Sequence, residues 1–136
     1  MLKPGGHVQF AEIDYQTLIG GGPVSDRWCA IRLQLYKHHG LMANCGMELP
    51  RMLGDAGFVN ILSEQRCPPI GKLWGEMGEY GIRSNVSAWR NMGPSALEAG
   101  LFQTREEHEN LMVDLENELN ERKAQCSYRL ICAQKP

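Results

Sequence analysis

The sequence has no basic block, no long apolar run and no closely spaced cysteine pair, and each absence removes a class of function. Its 136 residues carry 14 basic against 16 acidic side chains, a net charge of −2. Nothing therefore concentrates the positive field that binding a phosphate backbone requires, and nucleic acid is not an expected partner. No apolar stretch approaches the roughly 20 residues needed to cross a bilayer, and the N-terminus lacks the charged, apolar and small-residue layout of a secretory signal. The expectation is a cytoplasmic protein with no membrane partner. Five cysteines, Cys29, Cys45, Cys67, Cys126 and Cys132, are odd in number, widely spaced and never arranged as CxxC. They read as reduced thiols, not as a structural zinc site or a redox dithiol. His7, His38, His39 and His108 do not add a metal site, because the adjacent pair His38-His39 points to different faces of a helix where ligands would converge at i, i+4. No metal is expected. Internal repeats and low-complexity tracts are missing as well.

What is there is enough chain for a single domain, residues 1–136, with one core. It opens abruptly. Pro4-Gly5-Gly6 is a turn, and His7 to Asp14 follows with the β-branched and aromatic content of a strand, with almost no chain ahead to pair with it. Gly20-Gly21-Gly22-Pro23 interrupts regular structure and reads as a flexible loop. Ser25 is then placed to cap a helix, Asp26 suits its positive end, and Trp28, Ile31 and Leu35 recur at helical spacing with Leu33 and Tyr36 flanking, so a helix is predicted to about His39, where Gly40 stops it. Lys37-His38-His39 suits the negative end of that helix.

A second helix is predicted over Glu48 to Ala56, with Pro50 in its first turn, where the missing donor is not needed. Phe58 to Leu62 reads as a strand closed by Cys67-Pro68-Pro69, and Pro69 to Trp74 as an irregular approach to the next helical region. Glycines at 75, 78, 81, 93 and 100 divide the following stretch into two predicted helices, Trp74 to Ser84 and Val86 to Ala99. Thr104-Arg105-Glu106-Glu107 is a capping box, and Leu111, Leu115 and Leu119 supply a narrow apolar stripe behind it. Cys126 to Ala133 is the last predicted strand.

Three features line up in order: Leu2-Lys3-Pro4-Gly5-Gly6 opening a strand that closes with Glu12-Ile13-Asp14-Tyr15; Leu49 to Leu53 followed by Ala56-Gly57-Phe58; and a final strand ending Cys132-Ala133-Gln134-Lys135-Pro136. Together they resemble the C-terminal half of a class I S-adenosylmethionine-dependent methyltransferase. The likeness extends to the fungal secondary-metabolism branch through Pro69-Ile70-Gly71-Lys72-Leu73-Trp74 and the acidic helix before the last strand. It covers nearly the whole chain; its motifs are short, and their order and spacing carry more weight than any one of them. The resemblance implies a truncated Rossmann-like α/β fold of about three strands. The opening strand would be the family's fifth, the strand after Ala56-Gly57-Phe58 its sixth, and the chain's end its seventh, antiparallel between the other two.

The same resemblance implies what is missing. The family grips its cofactor with a glycine-rich turn after the first strand and an acidic residue ending the second, by the physics of close backbone approach that dinucleotide sites share. Neither element is present here. Gly20-Gly21-Gly22 lacks the GxG spacing and an immediately following helix, so no cofactor-binding residues are assigned and autonomous S-adenosylmethionine binding is not expected. S-adenosylmethionine would enter only if a partner chain supplied the absent half. The retained half is the part that shapes the acceptor pocket, so the expected partner is a small, natural-product-like molecule.

Candidate wall residues are Tyr15 at the carboxyl end of the first strand, where open α/β sheets bind ligands, with Trp28, Tyr36, Trp74 and Trp89. Glu12, Asp14 and His38 are the candidate catalytic residues, being able to take or give a proton. Competing readings stand beside these: aromatic residues at helical spacing pack in cores, and Glu12 or Asp14 can cap a turn or pair with Arg27. The implied function is a SAM-independent cyclisation or isomerisation at a pocket in an oligomer. The alternatives are a pseudoenzyme subunit, an interaction module, a methyltransferase completed by a partner, or a fragment of a longer product. The first strand would have an unpaired edge beside Val8, Phe10 and Ile13, and such edges recruit partners, most simply a second copy in a homodimer or else a complementing chain.

Overall fold

The computed structural model describes residues 2–14, 16 and 18–136. In chain order its elements are β1 (His7–Ile13), α1 (Pro23–His38), α2 (Cys45–Asp55), β2 (Val59–Arg66), β3 (Pro69–Ile70), a 3-10 turn (Lys72–Trp74), α3 (Glu76–Arg90), α4 (Gly93–Glu98), α5 (Arg105–Asn120), β4 (Ala124–Gln125) and β5 (Tyr128–Gln134). Helix takes about half of the chain and strand about a fifth, a mixed α/β architecture. The three long strands form one sheet in the order β1-β5-β2. The final strand thus lies at the centre, antiparallel to both neighbours. β2 runs on to Arg66, beyond the expected Leu62, because its ladder with β5 continues to Arg66↔Tyr128.

Strand alternation gives the sheet two unequal faces. Val8, Phe10, Ile131 and Ala133 lie on one face, where Leu49, Leu53, Phe58 and Ile61 close a small core beneath α2. The opposite face carries Leu130 and Cys132, half-buried, and Leu62, which is 68 % exposed. A separate and larger core lies among α1, α3, α4 and α5, built from Trp28, Leu35, Val86, Trp89, Leu111 and Leu115 with their neighbours. The stripe expected on α5 supplies its centre, since Leu111, Leu115 and Leu119 are all buried. The capping box forms as read: Glu107 N–H donates to Thr104 Oγ1 at 3.1 Å, and the Glu107 carboxylate reaches back to accept from Gln103 N–H at 2.9 Å.

The helical region after Trp74 is divided differently from the sequence expectation. α3 runs unbroken from Glu76 to Arg90 and the break falls at Asn91-Met92, not near Asn85. Gly78 and Gly81 are inside the helix, facing the backbone of the preceding segment: a Cβ on Gly78 would run into the Gly71 carbonyl oxygen, and one on Gly81 into that of Pro69. These glycines permit close packing and do not terminate the helix. α2 also starts earlier than expected, at Cys45, which puts Pro50 in its interior, where it withholds a helical donor from the preceding turn. The cap of α1 is corrected too. Gly22 holds the N-cap position and Pro23 the first turn, so the helix starts directly after the glycines, and Ser25 is a buried residue within it.

Candidate functional site

At the carboxyl ends of β1 and β2 the two faces of the sheet carry different chemistry. Glu12 and Asp14, two residues apart, share the face covered by α2. Glu12 is in register with Arg129, which is in register with Gln65 on its other side. Asp14 N–H donates to the Ser127 carbonyl at 2.8 Å, and the Ser127 hydroxyl accepts from Gln65 Nε2 at 2.9 Å. The first turn of α2 closes over this group: Gly46 has no side chain to hold it away from the Cβ atoms of Glu12 and Arg129. Burial, and then the charge of Glu12, push the Cys45 thiol above its ordinary range. Both effects disfavour its thiolate form. The Asp14 carboxylate accepts from Gln16 N–H at 3.0 Å, the turn-capping role weighed for it.

On the opposite face the same end of the sheet is apolar. A depression of about 450 Å³ is lined by Arg66, Cys67, Pro68, Tyr128 and Leu130. Pro68 and Tyr128 also line a second depression, of about 240 Å³, walled by Met77, Tyr80 and Asn85 of α3. The two depressions adjoin at Pro68 and Tyr128 and together make up the groove region between the sheet face and α3. Met77 and Tyr80 are 67 % and 66 % exposed, so the apolar surface of the groove is open. Arg66, ion-paired with Glu64, marks its polar end.

The other sequence candidates scatter. Trp28 and Trp89 belong to the helical core, 0 % and 4 % exposed, with ring centroids 6.2 Å apart. They pack the interior and form no wall of the groove, which is the competing reading of aromatics at helical spacing. Tyr36 is half-buried and lines a separate depression of about 260 Å³ with Leu35, His39 and Ser95. Trp74 lies on the 3-10 turn with Lys123 Nζ 5.5 Å from its ring. His38 is exposed at the end of α1, edge-on to His39, while His39 Nε2 and Ser95 Oγ are 2.7 Å apart. His38 is thus on a different element from the two carboxylates. Tyr15 lies outside the described residues. Arg27 pairs with Glu107, at 3.9 Å, and not with Glu12 or Asp14.

Sequence reasoning missed the groove residues, because Tyr128, Pro68, Met77 and Tyr80 come together only in the fold. It also missed Glu118. The N-terminus of α1 is an anion site, as a glycine-rich turn entering a helix can be. Its occupant is the chain's own carboxylate: Glu118 accepts from the N–H groups of Gly22, Val24 and Ser25 at 3.1, 3.0 and 2.8 Å and from the Ser25 hydroxyl at 2.6 Å. Burial works to raise the Glu118 carboxyl, but these hydrogen bonds outweigh it and hold it below the usual range. The glycine stretch is thereby a clamped turn, not a flexible loop. An acid beside the leucine stripe of α5 was the only local signal.

Two further buried polar groups belong to the helical core. The Arg32 guanidinium donates to Cys29 Sγ at 3.2 Å and lies over the rings of Trp28 and Trp89. Burial pushes the Cys126 thiol up to about 12, with Arg32 opposing and Cys29 adding to the rise, so this cysteine is an inert core residue. Burial, the largest cause, lowers the His108 imidazole, joined by the Arg90 charge and opposed by Glu109 and the Trp89 backbone. Among the described residues no group of three or more His, Cys, Asp or Glu side chains is arranged to hold a metal ion, and no helix is long and apolar enough to cross a membrane. No family model and no curated protein matches the chain.

Proposed function

We propose that this chain is a methyltransferase-like protein of small-molecule, secondary-metabolite biosynthesis: the acceptor half of a truncated Rossmann-like architecture, working in the cytoplasm without its own grip on S-adenosylmethionine. The reading is supported chiefly by the sheet order, with the C-terminal strand antiparallel between β1 and β2 and both chemical faces meeting at the carboxyl ends of those strands. The groove along Pro68, Tyr128, Met77 and Tyr80 takes the apolar body of a natural-product-like ligand. Glu12 and Asp14 move a proton in a cyclisation or isomerisation only of a ligand long enough to reach round the sheet end from the groove to their face, a contribution of about 10²–10⁴ in rate for a placed acid or base. The sheet stands between those carboxylates and the groove, and that separation favours a second reading, a non-catalytic subunit that binds the same ligand or is completed as a methyltransferase by a partner.

Calorimetric titration with S-adenosylmethionine and its demethylated product tests the reading. No binding by the pure chain is expected; tight binding of either would overturn it. Aryl ketones of increasing size, followed by methyl NMR of the methionines, are expected to shift Met77 before Met112, which is buried in the helical core. A turnover assay on any binder then separates the two readings: Glu12→Gln or Asp14→Asn lowers the rate by about a hundredfold or more if the carboxylates act, and leaves binding untouched.

A further inference from the structure

The sheet has two outer edges, and they differ in how they are defended. The β2 edge carries a register irregularity between Val59 and Leu62 with Asn60 at φ 52, then the ion pair Glu64–Arg66. Bulges and charges of this kind discourage edge pairing. β1 has no bulge, and its one acidic side chain, Glu12, is on the face beneath α2 and not at the edge. Its register with β5 is continuous from His7↔Gln134 to Ile13↔Tyr128, and it contains no proline, lysine or arginine.

The hydrogen-bond parity of β1 fixes what its free edge offers. Lys135 N–H donates to the Gly6 carbonyl and Asp14 N–H to the Ser127 carbonyl, both at 2.8 Å. Residues 6 and 14 therefore direct their backbone groups at β5, as do 8, 10 and 12 between them, and the alternate residues His7, Gln9, Ala11 and Ile13 direct theirs outward. We propose that two copies of this chain pair through β1, antiparallel about a two-fold axis at Phe10. In that register His7 meets Ile13 of the second copy and Gln9 meets its Ala11, so every outward donor and acceptor is used. A shift by two residues either way leaves His7 or Ile13 unpaired. Phe10 meets its own counterpart at a close, non-hydrogen-bonded position, which suits an aromatic pair.

Charge agrees with this register. Glu12 falls opposite Val8 of the second copy, four residues from the other Glu12, about 13 Å along the strand and beyond the roughly 8 Å over which exposed charges interact at physiological salt. Val8 and Phe10 are only half-buried beneath α2, so the second copy completes their cover. The result is a continuous sheet with both α2 helices on one face and both grooves on the other. This inference goes beyond the proposed function and does not depend on it.

Light scattering at tens of micromolar protein is expected to give twice the 15.3 kDa chain mass. Gln9→Pro removes an outward donor that the β5 ladder does not use, and Ala11→Lys puts like charges near the axis. Each is expected to weaken association by roughly tenfold or more while far-UV circular dichroism and the unfolding midpoint at monomeric concentration stay those of the parent. Under mild oxidation Phe10→Cys is expected to cross-link the two copies at the substituted position, as peptide mapping would show. A monomer at these concentrations overturns the proposal. So does a dimer that survives Ala11→Lys, one that dissociates on Leu62→Lys instead, or a cross-link that fails to form in a persisting dimer.

Discussion

Trp28 and Leu62 are both large apolar side chains on regular elements, yet Trp28 is wholly buried and Leu62 is 68 % exposed. The contrast runs through the molecule. In the helical layer every long helix lays an apolar face against another, and even its polar residues are enclosed: Arg32 over two indoles, His108 beside Phe102 and Trp28. In the sheet layer α2 covers one face, while the other is open except at Tyr128, which packs against the helical core. Burial of a large side chain contributes about 1.5–3 kcal/mol, so the helical layer carries most of the stability and the sheet layer keeps its chemistry, its groove and its free edge accessible.

The largest expected effect tests that division. Trp28→Ala should cost about 3–5 kcal/mol, while Leu62→Ser should stay within about 0.5 kcal/mol, both read from the midpoint of urea unfolding. Equal losses would erase the distinction between the layers. Glu118→Ala should follow at roughly 2–3 kcal/mol, because it strips an anionic cap from α1 and leaves several donors of that turn unmatched. The pH dependence has a definite sign. The folded carboxyl is held below the ordinary value of 4.5, so its contribution is complete above that value and is lost as the pH falls through the folded one. The acid limb of the stability curve should be shallower for Glu118→Gln than for the parent.

The smallest pair sharpens the comparison at the level of single glycines. Gly81→Ala forces a Cβ onto the Pro69 carbonyl and should destabilise by about 1–3 kcal/mol. Gly54→Ala, on α2, meets only Ile61 at an ordinary 3.7 Å, and should gain about 0.4–1 kcal/mol by restricting the unfolded chain.

Which parts were legible in the sequence follows from how local their causes are. The capping box at Thr104 and the leucine stripe behind it are settled within a few turns of one helix, and both formed as read. The sheet-end carboxylates were legible because alternation alone puts Glu12 and Asp14 on one face. Gly78 and Gly81 misled because the partners that require them are backbone atoms of residues 71 and 69, which no helix-propensity argument sees. The clamp on α1 joins positions more than ninety residues apart, and Ser25 was a reasonable cap until Glu118 took the role. Aromatic residues at helical spacing fit a pocket wall and a core equally, and Trp28 and Trp89 are in the core because α1 and α3 bring their rings together beside α5. The groove was beyond reach, being assembled from the end of β2, the start of β5 and the outer face of α3.

Hydrogen exchange followed by mass spectrometry, at a concentration where copies are separate, tests the two-layer account most directly. The slowest amides are expected in α5 around Leu115 and in α1 around Trp28, exchanging only by global unfolding, with β1, β2 and α2 opening together at lower free energy. Uniform protection across both layers, or slower exchange in the sheet than in α5, would contradict it.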